Sequence, residues 1–308
     1  MAEIPATLVK QLREMSGAGL MDAKKALIET NGDMEKAIDL LRTKGILKAG
    51  KKADRVAAEG LVGIASSGKA AAVVEVNSET DFVARNAEFQ KAVKTIADIA
   101  LKNGGDPAKT MHAPAPDGGT VGEMLVNLVA KIGENMTLRR ATALSVGDGV
   151  VAQYIHNTAA DGMGKIAVLV ALESTGDKSR LNDLGRKVAM HVASAKPLAA
   201  TVAELDPKVV DKEKQILTDQ AKESGKPAQV IEKMVEGRIR KFYQESVLVE
   251  QAFVMDPDTT VGKFIEHAAK ELGAPVKLTG FVRYEVGEGV EKAASDFAAE
   301  VAAFAKKD

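Results

Sequence analysis

Apolar side chains recur at helical spacing through the first part of the chain. Leu8, Leu12 and Met15 share one face of a segment from Pro5 to Met15, and after the turn Ser16-Gly17-Ala18-Gly19 the same period runs from Leu20 to Thr30. Asn31-Gly32 stops that second helix. Asp33 then supplies an N-cap for a third, with Met34, Ile38 and Leu41 turned inward and Gly45 as its end. Residues 1–55 therefore predict a three-helix module, closed by a charged tract carrying Lys48, Lys51, Lys52 and Arg55 that reads as a solvated linker.

From Leu61 the pattern changes to that of strands. Leu61 to Ser66, a turn at Ser67-Gly68 and the nearly continuous apolar run Ala70 to Asn77 predict a hairpin with one buried strand. Asn86 to Lys102 returns to helical spacing through Phe89, Val93, Ile96 and Ala100, and the Pro/Gly-rich stretch from Asn103 to Gly119 reads as a loop. A helix from Val121 to Ile132 precedes three strand-like runs, Met136 to Val146, Val150 to Ile155 and Ile166 to Leu172. With Gly147-Asp148-Gly149 joining the first two, they suggest an antiparallel meander. The segments GKAAAVVEVNS (Gly68 to Ser78) and GKIAVLVALES (Gly164 to Ser174) share pattern and length, and each precedes a helix. The core thus reads as two related halves, residues 56–140 and residues 141–205 with 243–285. Between the parts of the second half, residues 206–242 form two charged helical segments meeting at Ser224-Gly225-Lys226-Pro227, a projecting helical hairpin. Residues 286–308 end the chain as a helix with a narrow apolar stripe of Val290, Ala294, Phe297, Val301 and Phe304. The fold class is α+β, with antiparallel sheets packed against helices.

Composition narrows the function more than the fold. The chain has 308 residues, enough for several domains, and no cysteine, which excludes disulfides, thiolate metal sites and cysteine nucleophiles and fits a reducing cytoplasm. Its first residues are charged and amphipathic, unlike a secretory leader, and no stretch approaches a membrane span. Lys+Arg 42 against Asp+Glu 43 leaves a formal charge of −1, so no global field draws the chain to nucleic acid or anionic lipid. With no Trp and three Tyr, stacking platforms for single strands are scarce. The alternative of a nucleic-acid partner rests on the basic linker and Arg139-Arg140.

Signatures of catalysis are missing. Gly162-Met163-Gly164-Lys165 is followed by Ile166 where a phosphate loop needs Ser or Thr, and no GxGxxG or GxSxG occurs. His112, His156, His191 and His267 stand in no metal-ligand spacing. Neither a cofactor nor a resident metal is expected, and the chain does not read as an enzyme.

One segment stands apart. After the buried strand the chain reads SETDFVARN, placing Asp81 and Phe82 at a strand-to-helix corner. Spacing alone favours Phe82 as a backward extension of the Phe89 and Val93 stripe, with Asp81 a helix cap. The other reading is an outward probe, an aromatic that enters a partner's pocket with a carboxylate beside it. Spacing does not decide between them.

SETDFVARN closely resembles the TDFVA(K/R) signature of bacterial elongation factor Ts, a family of nucleotide-exchange factors for the GTPase elongation factor Tu. SGAGLMDAKKAL and KIGENMTLRR resemble that family's TGAGxMDxKKAL and KIGEN segments, and AMHVASAKP, KMVEGRIRKF and GFVRYEVGEGVEK match further stretches in the same order. The resemblance implies a ubiquitin-associated-like first module, a hairpin that acts as a coiled-coil dimerisation arm, and elongation factor Tu as partner; on the composition above, neither nucleic acid nor membrane is expected as a direct partner. It implies that Asp81 and Phe82, framed by Thr80 and Val83, enter the GTPase beside its Mg²⁺ and promote GDP release. By the same resemblance Ile132 and Gly133 match a second contact. His156, on residues alone a satisfied strand-end histidine, matches a contact near the partner's phosphate loop. Met21 matches a contact of the helical module, although an inward core methionine is an equal reading. Ser16, Ala23 and Arg85 depart from the commoner Thr, Cys and Lys of the pattern, and Arg85 brings a planar fork in place of an ammonium.

Overall fold

A computed structural model describes residues 4–16, 18–223 and 227–291, apart from the side chains of Ile46 and Lys48. The helix expected over residues 286–308 lies outside them beyond residue 291, and residues 286–289 form a turn instead of its start.

Helices α1 (Ala6–Ser16), α2 (Leu20–Glu29) and α3 (Met34–Gly50) close around Val9, Leu12, Ala23, Ala26, Leu27 and Ala37. Asp33 caps α3 by accepting from the Lys36 amide at 3.1 Å. The third helix does not stop at Gly45. That glycine is buried, and a Cβ there would lie 3.5 Å from Ala130 of a later helix, so it marks a close approach instead of a terminus. Nor is the basic tract a free linker: Lys52 Nζ donates to the Gly133 carbonyl and Arg55 pairs with Glu79 at 3.4 Å.

The core is built from strands β1 (Glu59–Ser66), β2 (Ala70–Ser78), β3 (Met136–Ser145), β4 (Gly149–Ala160) and β5 (Met163–Glu173), with a short pair β6 (Ala252–Phe253) and β7 (Asp256–Thr260), and β8 (Lys277–Glu285). The six-stranded sheet runs β3-β2-β1-β5-β4 with β8 also on β5, and its ladders are antiparallel. The expected meander is corrected here. β3 pairs with β2, and β4 pairs with β5 on the far side of the sheet. Gly147-Asp148-Gly149 therefore carries the chain between half-sheets, while Val146 and Val151 amides bond back to Lys69 and Gly68 carbonyls at 2.9 Å each.

The half-sheets β1-β2-β3 and β4-β5-β8 join at Val62↔Gly164 and Gly63↔Met163 and pack face to face. Between them lie Ala71 and Val73 of β2 with Ala167, Leu169 and Ala171 of β5. On its outer face β2 turns Ala72, Val74 and Val76 to α4 (Ala87–Lys102) and α6 (Val121–Ile132), while β5 turns Val168, Val170 and Leu172 to α7 (Lys178–Ala195) and α10 (Val261–Leu272). Four layers result, helices outside and sheet inside. This is why both repeated segments are apolar without alternation: each is a middle strand, dry on both faces.

The Pro/Gly-rich loop contains α5 (Pro107–His112), started by the Asp106 side chain on the Lys109 amide at 2.9 Å with proline in its first turn. Helices α8 (Pro207–Lys222) and α9 (Ala228–Ser246) lie side by side, with Arg238 on Gln220 at 3.0 Å. No helix among the described residues is long and apolar enough to cross a membrane.

Candidate functional site

Asn86 fixes where α4 begins, accepting from the Glu88 and Phe89 amides at 2.9 and 3.1 Å. Between the end of β2 and this cap, Val83–Arg85 wind as a 3-10 turn. The Ala84, Arg85 and Asn86 amides donate to the Asp81, Phe82 and Val83 carbonyls at 3.2, 3.1 and 2.9 Å. A winding of three residues per turn breaks the phase of the following helix, so Phe82 does not continue the stripe of Phe89 and Val93. Val83 and Ala84 fall into the core, whereas Phe82 is 73% exposed and Asp81 is exposed beside it. The core reading of Phe82 is overturned. Leaving such a ring in water forgoes ~1.5–3 kcal/mol of burial free energy, so the corner is held open at a cost to the free chain.

A second segment clamps the corner. Gly133 ends α6 with φ of 92°, a left-handed conformation that glycine adopts freely, and this swings Glu134 and Asn135 toward the corner. Glu134 accepts from the Thr80 amide at 2.9 Å and from Thr80 Oγ1 at 2.7 Å. In return Glu79 accepts from the Asn135 amide at 2.6 Å. The Asn135 side chain donates to the Ala53 and Arg55 carbonyls at 3.3 and 2.7 Å, so the tract after α3 is tied into the same knot.

The fold thus gathers Thr80, Asp81, Phe82 and Val83 with Ile132 and Gly133 into one locale. Val83 and Thr80 lie beneath its surface, the first in the core and the second on Glu134, while Ile132 is half-buried against the same core. His156 stands elsewhere, exposed on β4, with Nδ1 3.0 Å from the Tyr154 hydroxyl. Met21 is 63% exposed on α2, which removes the alternative of an inward core methionine. The sequence reading missed Glu79, Glu134 and Asn135. Two of these sit beside Ile132 and Gly133 in the KIGEN stretch, which was the signal available.

Arg139-Arg140 are committed inside the protein. Register shifts between Glu75 and Val76, leaving Arg139 as an extra residue on β3, and such a bulge turns two consecutive side chains toward one neighbour. That neighbour is the fully buried Glu75, reached by Arg139 Nη1 at 3.1 and 3.2 Å and by Arg140 Nε. Glu75 also accepts from the Gly287 amide at 2.8 Å and the Asn77 amide at 3.0 Å. Burial alone would raise its pKa, but the Gly287 N–H, the Asn77 amide and Arg140 outweigh that effect and hold it below the usual 4.5. Arg140 further lies 4.1 Å over the Tyr284 ring, so the cluster ties both half-sheets together.

A cleft of about 430 Å³ between the helical module and α6 is distinct from the corner. Its Arg42, Lys44 and Lys131 pair with Glu123, Glu29 and Glu88. Among the described residues no group of His, Asp and Glu is arranged to hold a metal ion.

Comparison with known proteins places these features in a family. The family model described as elongation factor TS matches residues 79–288, from the corner to the turn after β8. The chain is 57% identical over 306 residues to the elongation factor Ts of Rhodospirillum centenum, covering 99% of this chain and 100% of that one. It is 57% identical to the Rhodospirillum rubrum protein of the same name, with 100% of both chains covered. To that of Rhizobium meliloti it is 58% identical, over 98% of this chain and 99% of the other.

Proposed function

Because the chain belongs to the elongation factor Ts family of translation elongation factors, we propose that it binds elongation factor Tu carrying GDP and speeds GDP release by inserting Asp81 and Phe82 beside the partner's Mg²⁺ and nucleotide. The observation that carries this reading is the 73% exposure of Phe82 on a corner anchored from below by Val83 and from the side by Glu134. No bond is made or broken by this chain, and it acts as an exchange factor.

The physics is that of a wedge. Mg²⁺ requires near-octahedral coordination at about 2.0–2.1 Å, so a small displacement of its protein ligands takes away much of its contribution to nucleotide affinity. Burying Phe82 in the partner recovers the ~1.5–3 kcal/mol that the free chain forgoes, and it does so only in the opened state. Linkage makes the effect reciprocal: as the factor weakens GDP, bound nucleotide weakens the factor, and GTP rebinding releases it. A surface that bound both partner states equally would shift nothing.

The remaining expectations join this reading. Ile132 and Gly133 flank the wedge, while Met21 on a ubiquitin-associated-like bundle and the exposed His156 supply contacts further away. Helices α8 and α9 are read as a dimerisation arm. In support, Leu217, Ala221 and Val235 are buried in them while Val209, Ile216 and Val230 stay 40%, 41% and 42% exposed. The work is done in the cytoplasm, where the partner is.

The test is release of a fluorescent GDP from purified elongation factor Tu. Replacing Asp81 and Phe82 together with Ala should cut stimulated release by roughly 10- to 100-fold, about 1.4–2.7 kcal/mol of lost opening energy, with the melting temperature unchanged. Full stimulation by the double variant would remove the wedge from the mechanism.

A further inference from the structure

We infer that Glu134 is a positioning residue for exchange, whose carboxylate holds the Asp81-Phe82 corner projected before the partner is met. The inference rests on the reading of that pair as the inserted group, and it assigns to Glu134 a role acting through Thr80.

The two flanks of the corner are anchored differently. On the α4 side Val83 and Ala84 are buried, and Gln90 Nε2 donates to the Ala84 carbonyl at 2.9 Å. On the β2 side Glu79 and Thr80 are only half-buried and bring no apolar anchor. What holds them is charge-assisted: Glu134 takes both Thr80 donors, at 2.9 and 2.7 Å, and Glu79 takes the Asn135 amide at 2.6 Å. Ser78 Oγ adds a bond to the Thr80 carbonyl at 2.9 Å. Glu134 is itself placed by fixed neighbours, the end of α6 at Gly133 and the buried Asn135. It therefore transmits the position of the helix end to the corner.

An exposed phenyl ring needs such a hold. In the 3-10 turn each amide donates to one carbonyl three residues earlier, and this geometry is poorer than that of an α-helix. Conformers that fold Phe82 back onto the protein surface compete with the projected one. If losing the clamp leaves the corner projected about one-tenth of the time, productive insertion is weakened about tenfold, because apparent affinity scales with the competent fraction. Flanking contacts elsewhere are untouched, so affinity for the GDP-bound partner, in which the ring is not inserted, is kept, while affinity for the nucleotide-free partner falls together with the release step. Glutamine is the conservative test: its oxygen accepts from the Thr80 amide while its NH₂ donates to Thr80 Oγ1, so both bonds survive without the charge.

The experiment compares full-length Glu134→Ala, Glu134→Gln and Phe82→Ala in two measurements. These are hydrogen exchange of peptides covering residues 79–86 in the free chain, and the GDP-release rate from elongation factor Tu at saturating factor. Glu134→Ala is expected to speed exchange at the Thr80 amide about tenfold and to lower the release rate about tenfold, with affinity for the GDP-bound partner altered less than about threefold. Glu134→Gln, which keeps both bonds without the charge, is expected to recover the larger part of each. The milder Thr80→Val, which removes only the hydroxyl bond, should lower release about threefold and decides the matter if Glu134→Ala does not fold. Unchanged corner protection and release in Glu134→Ala would overturn the inference, as would a Gln variant as impaired as the Ala variant. Phe82→Ala separates the two levels. If it stimulates release fully, the wedge reading fails, and the hydrogen-exchange arm alone decides whether Glu134 holds the corner.

Discussion

Replacing Glu75 with alanine would remove the acceptor shared by four donors: Arg139 Nη1, Arg140 Nε, Asn77 Nδ2 and the Gly287 amide. Glu75 is fully buried, whereas the Arg139 and Arg140 side chains are 28% and 29% exposed. Breaking a buried pair from one side costs ~3–5 kcal/mol because the partner charges stay behind. Since the arginines reach water, the lower end applies, about 3 kcal/mol, which is a large share of the ~5–15 kcal/mol of a whole fold. At ~2–4 °C per kcal/mol for a chain of this size, the melting temperature should fall by roughly 6–12 °C. Circular dichroism at pH 7 reads this directly. Glu75→Gln keeps volume and one acceptor and should lose about half as much. The carboxyl is held below its usual 4.5, so the folded chain keeps it charged where the unfolded chain takes up a proton. Its contribution is therefore full above that value and drains away as pH falls through the folded one, and wild type and Glu75→Gln should converge under acid. A Glu75→Ala midpoint within about 2 °C of wild type at pH 7 would refute the reasoning.

The buried His191 is a second pH-linked group, of opposite chemistry. Burial lowers its pKa below 6.5 although its bond to Gln251 acts the other way, and its Nδ1 accepts from the Val254 amide at 3.1 Å, a bond that the neutral ring alone can make. The unfolded chain then binds the proton first, so stability should fall as pH drops through 6.5 and level off below the folded value, by at most ~1.4 kcal/mol per pH unit. Urea unfolding at stepped pH checks this, and a His191→Asn chain with the same slope as wild type would exclude the assignment. At Gly63 an added Cβ would lie 2.7 Å from Val93 Cγ1, so Gly63→Ala should push α4 off β1 and cost ~1–3 kcal/mol by denaturant unfolding, whereas an unaltered midpoint would mean that the contact is slack.

Elements were legible in the sequence where a local rule sufficed. Thr120 and Glu123 form a capping box and Gly133 closes the helix, so α6 matches its expected span from Val121 to Ile132. The apolar run of β2 marked a buried strand because both of its faces are covered. Pairing was not legible, since alternation fits any antiparallel neighbour: β3 could join β4 or β2, and the Gly147-Asp148-Gly149 turn suggested the wrong one. Gly45 looked like a stop because a helix end and a close helix contact both favour glycine. Two helices were readable but overlooked, α5 behind Asp106-Pro107 and α10 between the Thr260 cap and Gly273. At the corner, extending helical period backward past Asn86 ignored that Asn86 is itself the cap, beyond which the phase no longer holds. Motif resemblance pointed to Asp81 and Phe82 as intruding residues, but the partners that shape their corner, Glu79 and Glu134, are contacts across the fold and leave no periodic trace.

The two halves explain how the fold carries an exposed ring at this corner without weakening its core. In the second half β5 passes to α7 through a short connection, in which Asp177 caps the helix on the Arg180 amide at 2.8 Å and Ser174 Oγ takes the Gly176 amide at 3.1 Å. The equivalent passage in the first half runs from Ser78 to the Asn86 cap and holds an additional 3-10 turn. Strand, cap and helix recur in both copies in kind, and of the extra residues Val83 and Ala84 pack into the apolar layer beneath them. The others demand polar partners, since amides lifted away from both sheet and helix need acceptors. Glu134 and the local turn carbonyls supply these. The exposed ring is thus carried by hydrogen bonds on the β2 side of its corner and by buried Val83 and Ala84 on the α4 side, while the ring itself stays 73% exposed.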